Sequence, residues 1–343
     1  MKRIFISILY AAAAIAISGC ATSVEEAPNE AEKRYFDAWM HLNYPTAKPT
    51  GLGIYILEDT PGTGKEVKED GYAFADYVIS DLEGNISSYT QKSIAKQLGK
   101  YDTTSYYGPK VQTTIEGAIP AGLAEGVVGM KVGGRRKFII PGWLMSYKKY
   151  ETEEEYLAIS SSYDNTIYDM TITDFTEDIT KWQTGKIGEY FAENTSIFGG
   201  MTVRDTVKGH SGMYYKQLTA PTDTTSFPSD TTIYINYTGM LLNGLVFDTT
   251  IEKVAKDNGL YTPGKSYKPM QVNWGSSYSE ITMGSSESSI INGFALTLWQ
   301  MRAMESGIGV FISDYGYSTN GSGSSIPGYS PLIFKIEIVE KPE

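Results

Sequence analysis

The sequence predicts a mixed α+β fold in which one module occurs twice. Short segments rich in β-branched and aromatic residues alternate with Gly- and Pro-containing turns, which is typical of strands. The order of strand, turn-rich loop and strand over residues 53–79 recurs over residues 212–238. A chain of 343 residues is long enough for two domains of this kind.

The chain begins like an exported protein that is held by a lipid. Lys2 and Arg3 precede an apolar run too short to span a bilayer, and small residues follow it, so residues 1–19 read as a cleaved signal peptide. Cys20, the only cysteine, comes directly afterwards, and Ile-Ser-Gly-Cys resembles the bacterial lipoprotein processing box. Acyl chains stabilise membrane binding by ~0.8 kcal/mol per buried methylene, so lipid on Cys20 would anchor the chain. The alternative is a free cysteine after an ordinary cleavage site.

The residues around the anchor point to a location and exclude one class of partner. Ala21 after the cysteine resembles the sorting pattern for the outer membrane, and the sequence leaves the periplasmic and surface-facing orientations open. The net charge of −11 becomes more negative when Lys2 and Arg3 are removed, so nucleic acid is not an expected partner. His41 and His210 lie far apart without carboxylates at ligand spacing, and neither a metal site nor another cofactor is expected.

Composition and periodicity divide the mature chain into four parts. Residues 20–50 read as a lipidated tether followed by a helix over residues 30–42, which we expect to dock on a domain rather than to form a dimer arm. Residues 51–175 form the first module, 176–211 a helical linker and 212–343 the second module. The apolar side chains of the first helix are Tyr35, Phe36, Trp39, Met40 and Leu42, and those of the linker are Trp182, Ile187, Tyr190 and Phe191.

One stretch of the second module has the pattern of a binding pocket. Phe294, Leu298 and Met301 recur at helical spacing, which predicts a short helix with one apolar face. A strand over residues 310–312 follows and leads to a Gly-containing loop that carries Tyr317. An aromatic residue at a helix start beside a loop tyrosine indicates an apolar site with one polar group.

The motifs of this module resemble those of the FKBP family of peptidyl-prolyl cis-trans isomerases. Residues 237–248 read Tyr-Thr-Gly-x-Leu-x-x-Gly-x-x-Phe-Asp, the family's most distinctive run, and three shorter matches follow at residues 291–294, 313–317 and 326–334. The resemblance covers nearly all of residues 213–340. It implies a bent antiparallel β-sheet wrapped around one short α-helix in each module, with a proline pocket between sheet and helix.

The resemblance also implies which residues act and what they bind. Expected substrates are proline-containing polypeptides, and FKBP-directed macrolides are expected ligands. The N–H of Ile291 and the hydroxyl of Tyr317 would hold the substrate carbonyls. The expected catalytic residues are Tyr237, Phe247, Asp248, Ile291, Phe294, Tyr317 and Phe334, and the expected substrate-binding residues are Ile290, Met270 and Ile326.

An apolar pocket suits this chemistry. Rotation about an amide is slow because resonance gives a barrier of ~18–20 kcal/mol. The twisted transition state has lost that resonance and is less dipolar than the planar amide, so a water-poor site favours it. A thousandfold acceleration requires ~4 kcal/mol of differential stabilisation, and neither a nucleophile nor a metal is needed.

The second module departs from the family pattern at several points. Phe294 stands where a Trp is usual, Ser325 stands where an Ile is usual, and a long insertion over residues 275–289 precedes the helix. The basic partner expected for Asp248 matches only Lys253, next to a second insertion over residues 254–265.

The first module keeps the scaffold and loses the chemistry. Ser87 and Ser88 replace the Phe-Asp pair, Leu123 replaces the floor aromatic, and a charged insertion over residues 148–156 replaces the tyrosine loop. Two functions from different classes remain: an isomerase that assists the folding of exported proteins, or a non-catalytic binding module or chaperone at the outer membrane. The Phe-Asp pair and Tyr317 favour the first, and the degenerate first module favours the second.

Overall fold

The protein folds into two antiparallel sheets, one in each predicted module. The computed structural model describes residues 27–159 and 163–342. Within them, the first sheet has the order β1-β5-β6-β2-β3, with β4 paired to β2. Its strands are β1 (Tyr55–Thr60), β2 (Tyr72–Ser80), β3 (Ile86–Tyr89), β4 (Lys110–Thr113), β5 (Arg135–Ile140) and β6 (Thr166–Thr176).

The second sheet repeats this arrangement and extends it at one edge. Its order is β12-β11-β10-β8-β14-β13-β7, with β9 paired to β8. The added edge is formed by two-residue strands from the 275–289 insertion. The strands are β7 (Met213–Thr219), β8 (Thr232–Leu241), β9 (Val246–Thr249), β10 (Met270–Asn273), β11 (Thr282–Met283), β12 (Ser288–Ser289), β13 (Ser306–Phe311) and β14 (Leu332–Val339).

One short helix packs against each sheet, as the resemblance implies. In the first module this helix is α3 and in the second it is α8, whose residues 293–298 are all buried. The α-helices are α1 (Glu30–Asn43), α2 (Lys92–Gln97), α3 (Ala121–Val127), α4 (Glu153–Leu157), α5 (Ile179–Glu193), α6 (Thr195–Phe198), α7 (Glu252–Asp257) and α8 (Asn292–Gln300), and 3-10 turns span Gly142–Met145, Tyr278–Glu280 and Ser313–Tyr315. The predicted α+β fold is therefore confirmed.

Helix α1 docks on the first module through a narrower face than the sequence indicates. Phe36 and Met40 are buried, whereas Tyr35 and Leu42 are 54% and 80% exposed, so only part of the apolar side chains of the helix contact the module. The start of the helix is held by the segment that ends the charged insertion and follows it: the side-chain amide of Asn29, the residue before the helix, donates to the backbone carbonyls of Tyr156, Leu157 and Ile159.

Helix α5 connects the two modules. Asp178 caps it by accepting a hydrogen bond from the N–H of Lys181. Ile187 and Phe191 are buried in a cluster on the outer side of the second sheet. Trp182 stacks on Phe74 of the first sheet with ring centroids 4.0 Å apart. The linker thus packs against both modules.

A loop of the first module also contacts the second. The N–H of Tyr106 donates to the carbonyl oxygen of Ser324 at 2.9 Å, and the hydroxyls of Ser105 and Ser324 lie 3.0 Å apart. The rings of Tyr72 and Tyr329 meet edge to face at 5.4 Å. All three contacts fall on the loop between β13 and β14.

The leader and its cysteine lie outside the described residues. The predicted signal peptide, residues 1–19, and Cys20 both fall in this part of the chain, and lipidation stays a prediction. Among residues 27–159 and 163–342, no helix combines the length and the apolar composition that crossing a bilayer requires.

Candidate active site

The predicted site residues come together as one aromatic cluster between α8 and the second sheet. Tyr237, Phe294 and Phe334 are buried, with exposures of 9%, 3% and 5%. The ring of Phe294 meets those of Tyr237 and Phe334 edge to face, at 5.3 and 4.9 Å. Phe247 adds a fourth ring, 5.5 Å from Phe334. Edge-to-face packing places the electropositive rim of one ring on the face of another, which fixes the geometry of the cluster.

The remaining apolar residues of the predicted site surround these rings. Ile326 is buried in the same core, and Met270, Ile290, Ile291 and Tyr317 pack against it half-buried. All nine apolar or aromatic residues of the prediction therefore lie in one cluster, although they come from five separate stretches of sequence. Their individual roles in catalysis stay a prediction.

Asp248 joins the cluster through Tyr237. The Tyr237 hydroxyl donates to Oδ2 of Asp248 at 2.6 Å, and the N–H of Thr249 donates to Oδ1 at 2.9 Å. The carboxylate side chain is 45% exposed, so it forms the polar rim of the cluster rather than part of its core. Burial, with the nearby Asp248 charge, raises the pKa of Tyr237. The phenol therefore stays protonated at neutral pH and remains a donor.

The basic group nearest Asp248 is Lys265. The prediction that Lys253 is the partner of Asp248 was wrong. Lys253 pairs with Asp257 one helical turn along α7, at 2.5 Å. Lys265 Nζ lies 3.9 Å from Oδ1 of Asp248 and also sits over the ring of Tyr267. The distance is long and both groups are about half exposed, so solvent screens most of the attraction.

Two donors are free where the resemblance places substrate carbonyls. In the described part of the chain, neither the N–H of Ile291 nor the hydroxyl of Tyr317 forms a hydrogen bond. Ile291 is the residue before α8, and Tyr317 is half-buried on the loop after β13. Burial, followed by the charge of Asp248, raises the pKa of Tyr317, so its hydroxyl also keeps its proton.

Gly239 makes room for the rings. A Cβ at this position in β8 would lie 2.5 Å from Phe247 and 2.8 Å from Phe334, closer than side-chain carbons normally approach. Gly239 pairs with Phe334 in the sheet, whereas the corresponding pair in the first module is Ile79 and Tyr168. In the first sheet, therefore, the side chain of Ile79 occupies the space that the ring of Phe247 occupies in the second sheet.

The first module retains only the outline of the site. Tyr77 is buried like Tyr237, but its hydroxyl interacts with Ser88 in place of a carboxylate. Leu123 is buried at the position of Phe294, and the charged insertion turns away to hold α1. No aromatic cluster comparable to that around Phe294 forms there among the described residues.

The loop that carries Tyr317 and Ile326 is held at two points by residues that sequence reasoning did not identify. At one end, the side chain of Gln183 on α5 donates to Oγ of Ser313 at 3.0 Å and accepts from its N–H at 2.7 Å, and both residues are 1% exposed. At the other end, Ser324 binds Ser105 and the backbone of Tyr106. Periodicity marks the buried face of α5 only through its apolar residues. Gln183 lies on that face but is polar, so the periodicity does not reveal its role.

The second insertion is not peculiar to the second module. Lys256, Tyr261 and Tyr267 recur in the first module, at identical spacing, as Lys96, Tyr101 and Tyr107. In both loops the two tyrosines stack at 5.6 Å and the lysine sits over the first ring. This repeated pattern is visible in the sequence. It indicates that the connection from β3 to β4 and the connection from β9 to β10 have the same local structure.

No metal site accompanies these groups in the described ranges. Residues 27–159 and 163–342 contain no group of three or more His, Cys, Asp or Glu side chains arranged to hold an ion. His41 is exposed, and His210 packs between the rings of Tyr278 and Tyr315.

The model of the FKBP-type peptidyl-prolyl cis-trans isomerase family matches residues 87–165 and 224–339, which is more than half of the chain. The chain belongs to this family. One matched stretch falls in each module, so the family assignment includes the first module, whose site is degenerate. The isomerase activity predicted from the sequence is supported by this match.

Similar proteins include FK506-binding proteins of a fungus and a plant and a peptidyl-prolyl isomerase of a bacterium. FK506-binding protein 1A of Aspergillus fumigatus is 27% identical over 125 residues, covering 36% of this chain and 90% of its own. The three FKBP domains of wheat FKBP73 align with 14% identity and a TM-score of 0.29, over 83% of this chain and 93% of theirs. A peptidyl-prolyl isomerase of Pseudomonas syringae pv. tomato aligns with 21% identity and a TM-score of 0.31, over 48% of this chain and 97% of its own.

Proposed function

We propose that the second module rotates X-Pro amide bonds of exported polypeptides, in a cleft formed by Tyr237, Phe247, Phe294 and Phe334. The observation that carries the proposal is the aromatic cluster with free donors on it: the Ile291 N–H and the Tyr317 hydroxyl. Proline would lie against the rings, and the donors would hold the flanking carbonyls. Because the rings exclude water, they favour the less dipolar twisted amide over the solvated planar one.

Asp248 has a defined part in this proposal. Its carboxylate orients the Tyr237 hydroxyl, which lies against the floor residue Phe294. This bond exists before substrate binds, so its part in catalysis is to hold the Tyr237 ring in place. The differential stabilisation of ~4 kcal/mol that a thousandfold acceleration requires would come from the water-poor cleft and the two free donors.

The export part of the proposal rests on the leader alone. The predicted signal peptide and Cys20 would place the mature chain on the outer membrane, where unfolded polypeptides arrive with proline bonds still to isomerise. The first module would then act as a binding or spacing domain, because its Ser87–Ser88 pair lacks the groups proposed for catalysis.

A protease-coupled assay tests the proposal. The mature Cys20→Ser variant should accelerate cis-trans isomerisation of a Phe-Pro tetrapeptide. One equivalent of an FKBP-directed macrolide per chain should inhibit this activity. The same protein should leave the membrane fraction, whereas the Cys20 form stays in it. Absence of rate enhancement with intact macrolide binding would instead support the non-catalytic binding module.

A further inference from the structure

The described residues of the first module leave a groove open at a position where a segment of the second module covers its own surface. The groove encloses about 370 Å³ and lies along the outer face of α3, beneath the connection from β4. Its floor is apolar, and Ile115 and Tyr147 at its edges are 36% and 54% exposed. Its apolar lining is Leu52, Ile115, Ile119, Ala121, Ala124, Val128 and Tyr147.

The corresponding surface of the second module is filled by its own chain. Trp274 directly follows β10, as Thr114 follows β4, and it stacks on Trp299 of α8 at 5.5 Å. The 3-10 turn Tyr278–Glu280 packs on the same helix, and Ile281 is 2% exposed. This covering segment is part of the insertion over residues 275–289. The first module connects β4 to α3 through residues 114–120 only, so among the described residues no equivalent segment covers α3 there.

The charges around the groove select the occupant. Four carboxylate residues line it, whereas Lys149 is the single cation among the described residues that do so, and it lies 3.9 Å from Glu69. The carboxylates are Glu69, Asp70, Glu116 and Glu125.

One of these carboxylates lacks a donor. Glu125 Oε1 accepts from the N–H of Leu52 at 2.9 Å, but Oε2 is buried and has no partner in the described part of the chain. A buried, unpaired carboxylate oxygen costs free energy, so a turn of the Glu125 side chain that brings this oxygen to a cationic donor in the groove would be favourable.

We propose that this groove binds an extended polypeptide segment in which a Lys or Arg lies between apolar residues. The apolar side chains would cover α3 as Trp274 and Ile281 cover α8, and the cation would reach Glu125. The occupant comes from another protein. Residues 1–26, 160–162 and 343 contain only Lys2 and Arg3 as basic residues, both in the predicted leader, and the tether carries Glu25 and Glu26. The degenerate module would therefore hold a client chain while the second module acts on its prolines.

Fluorescence anisotropy with proline-free peptides tests the groove without involving the isomerase site. The probes are a labelled decapeptide with Lys between Leu and Phe residues, and the same peptide with Glu replacing Lys. The mature protein should bind the Lys peptide at least tenfold more tightly than the Glu peptide, and added salt should reduce the difference. Equal binding of the two peptides would overturn the proposal.

Two variants and a control locate the binding. Glu125→Gln keeps the shape of the side chain and the contact to Leu52 but removes the charge, so it should reduce the affinity for the Lys peptide about tenfold. Val128→Trp places an indole where Trp299 stands in the second module and should abolish binding. Glu83→Gln, in the turn between β2 and β3, removes an exposed carboxylate elsewhere and should change nothing. Unchanged affinity in Glu125→Gln or Val128→Trp, at an unchanged thermal midpoint, contradicts the assignment.

Self-association is the competing outcome. If a second copy of the chain filled the groove, the wild-type protein would sediment as a dimer and Val128→Trp as a monomer. That result would show that the occupant of the groove is a second copy of the protein and not a client polypeptide, and it would overturn the proposal.

Discussion

The hydrogen bond from Tyr237 to Asp248 links the buried floor of the cluster to its exposed rim. Tyr237 is 9% exposed and packs on Phe294, so its hydroxyl has little access to water. Without the carboxylate, a buried donor would be left unpaired, which costs more than the bond itself contributes. The pair therefore serves stability and site geometry together.

Asp248→Ala should lower the free energy of unfolding by ~1–3 kcal/mol, because the Tyr237 hydroxyl and the Thr249 N–H lose their acceptor. Tyr237→Phe should cost less, and the two changes should couple by at least 0.5 kcal/mol in a double-mutant cycle followed by urea denaturation. Ser88→Ala, at the matching position of the first module, should stay within about 0.5 kcal/mol of wild type. Strict additivity would mean that the two groups do not interact.

Tyr317→Phe should separate binding from folding. The ring and its packing remain, so the thermal midpoint should not change. The lost hydroxyl removes a hydrogen bond of ~0.5–1.5 kcal/mol to the substrate, which is a several-fold fall in kcat/KM in the protease-coupled assay. A wild-type kcat/KM would remove Tyr317 from the proposed site.

At the scale of elements, the loop from Ser313 to Pro331 is held by groups outside its own module. Gln183 makes two buried hydrogen bonds to Ser313, and the first module binds Ser324. Because this loop delivers Tyr317 and Ile326 to the cluster, the linker and the first module help to position the site.

Gln183→Ala should leave Ser313 with an unpaired buried N–H and hydroxyl and release one end of the loop. We expect a loss of ~1–3 kcal/mol in stability and a rise in KM larger than the fall in kcat. Thr180→Ala, at an exposed position of the same helix, is the matched control. If kcat and KM keep their wild-type values while stability falls, the bond is structural only.

The sequence predicts local elements and the membership of the site better than contacts between elements. The strands, helix α8 and the linker helix follow from periodicity, and the family resemblance pointed to ten residues that the fold brings together, although their roles stay a prediction. Lys265 was missed because the loop after α7 has no periodic pattern that fixes which lysine points at Asp248. The contact of Ser105 with Ser324 joins two irregular loops far apart in the sequence, and neither loop alone shows a partner.

At the scale of the whole molecule, buried tyrosines set an alkaline limit to stability. Burial raises the pKa of Tyr168 to about 12, and the pKa values of Tyr237 and Tyr215 are also raised, first by burial and then by Asp248 and Glu305. Unfolded tyrosines titrate near pH 10. Above that pH the unfolded state loses protons that the folded state keeps, so stability falls as pH rises.

We expect a thermal midpoint with no tyrosine-dependent change below about pH 9 and a progressive fall between pH 10 and 12. Calorimetry across this range checks the expectation. Tyr168→Phe should reduce the fall in the first module, whereas Tyr261→Phe, at a 41% exposed position, should not. A midpoint that holds through pH 12 would show that these phenols ionise equally in both states.

The assignment of catalysis to the second module is tested most directly by one matched pair of variants. Phe247→Ala removes a half-buried ring 5.5 Å from Phe334, and Ser87→Ala changes the exposed counterpart in the first module. The measurement is the isomerisation rate of a Phe-Pro peptide by each folded, mature protein at equal concentration. We predict at least a tenfold loss for Phe247→Ala and the wild-type rate for Ser87→Ala. A wild-type rate for folded Phe247→Ala would contradict the account.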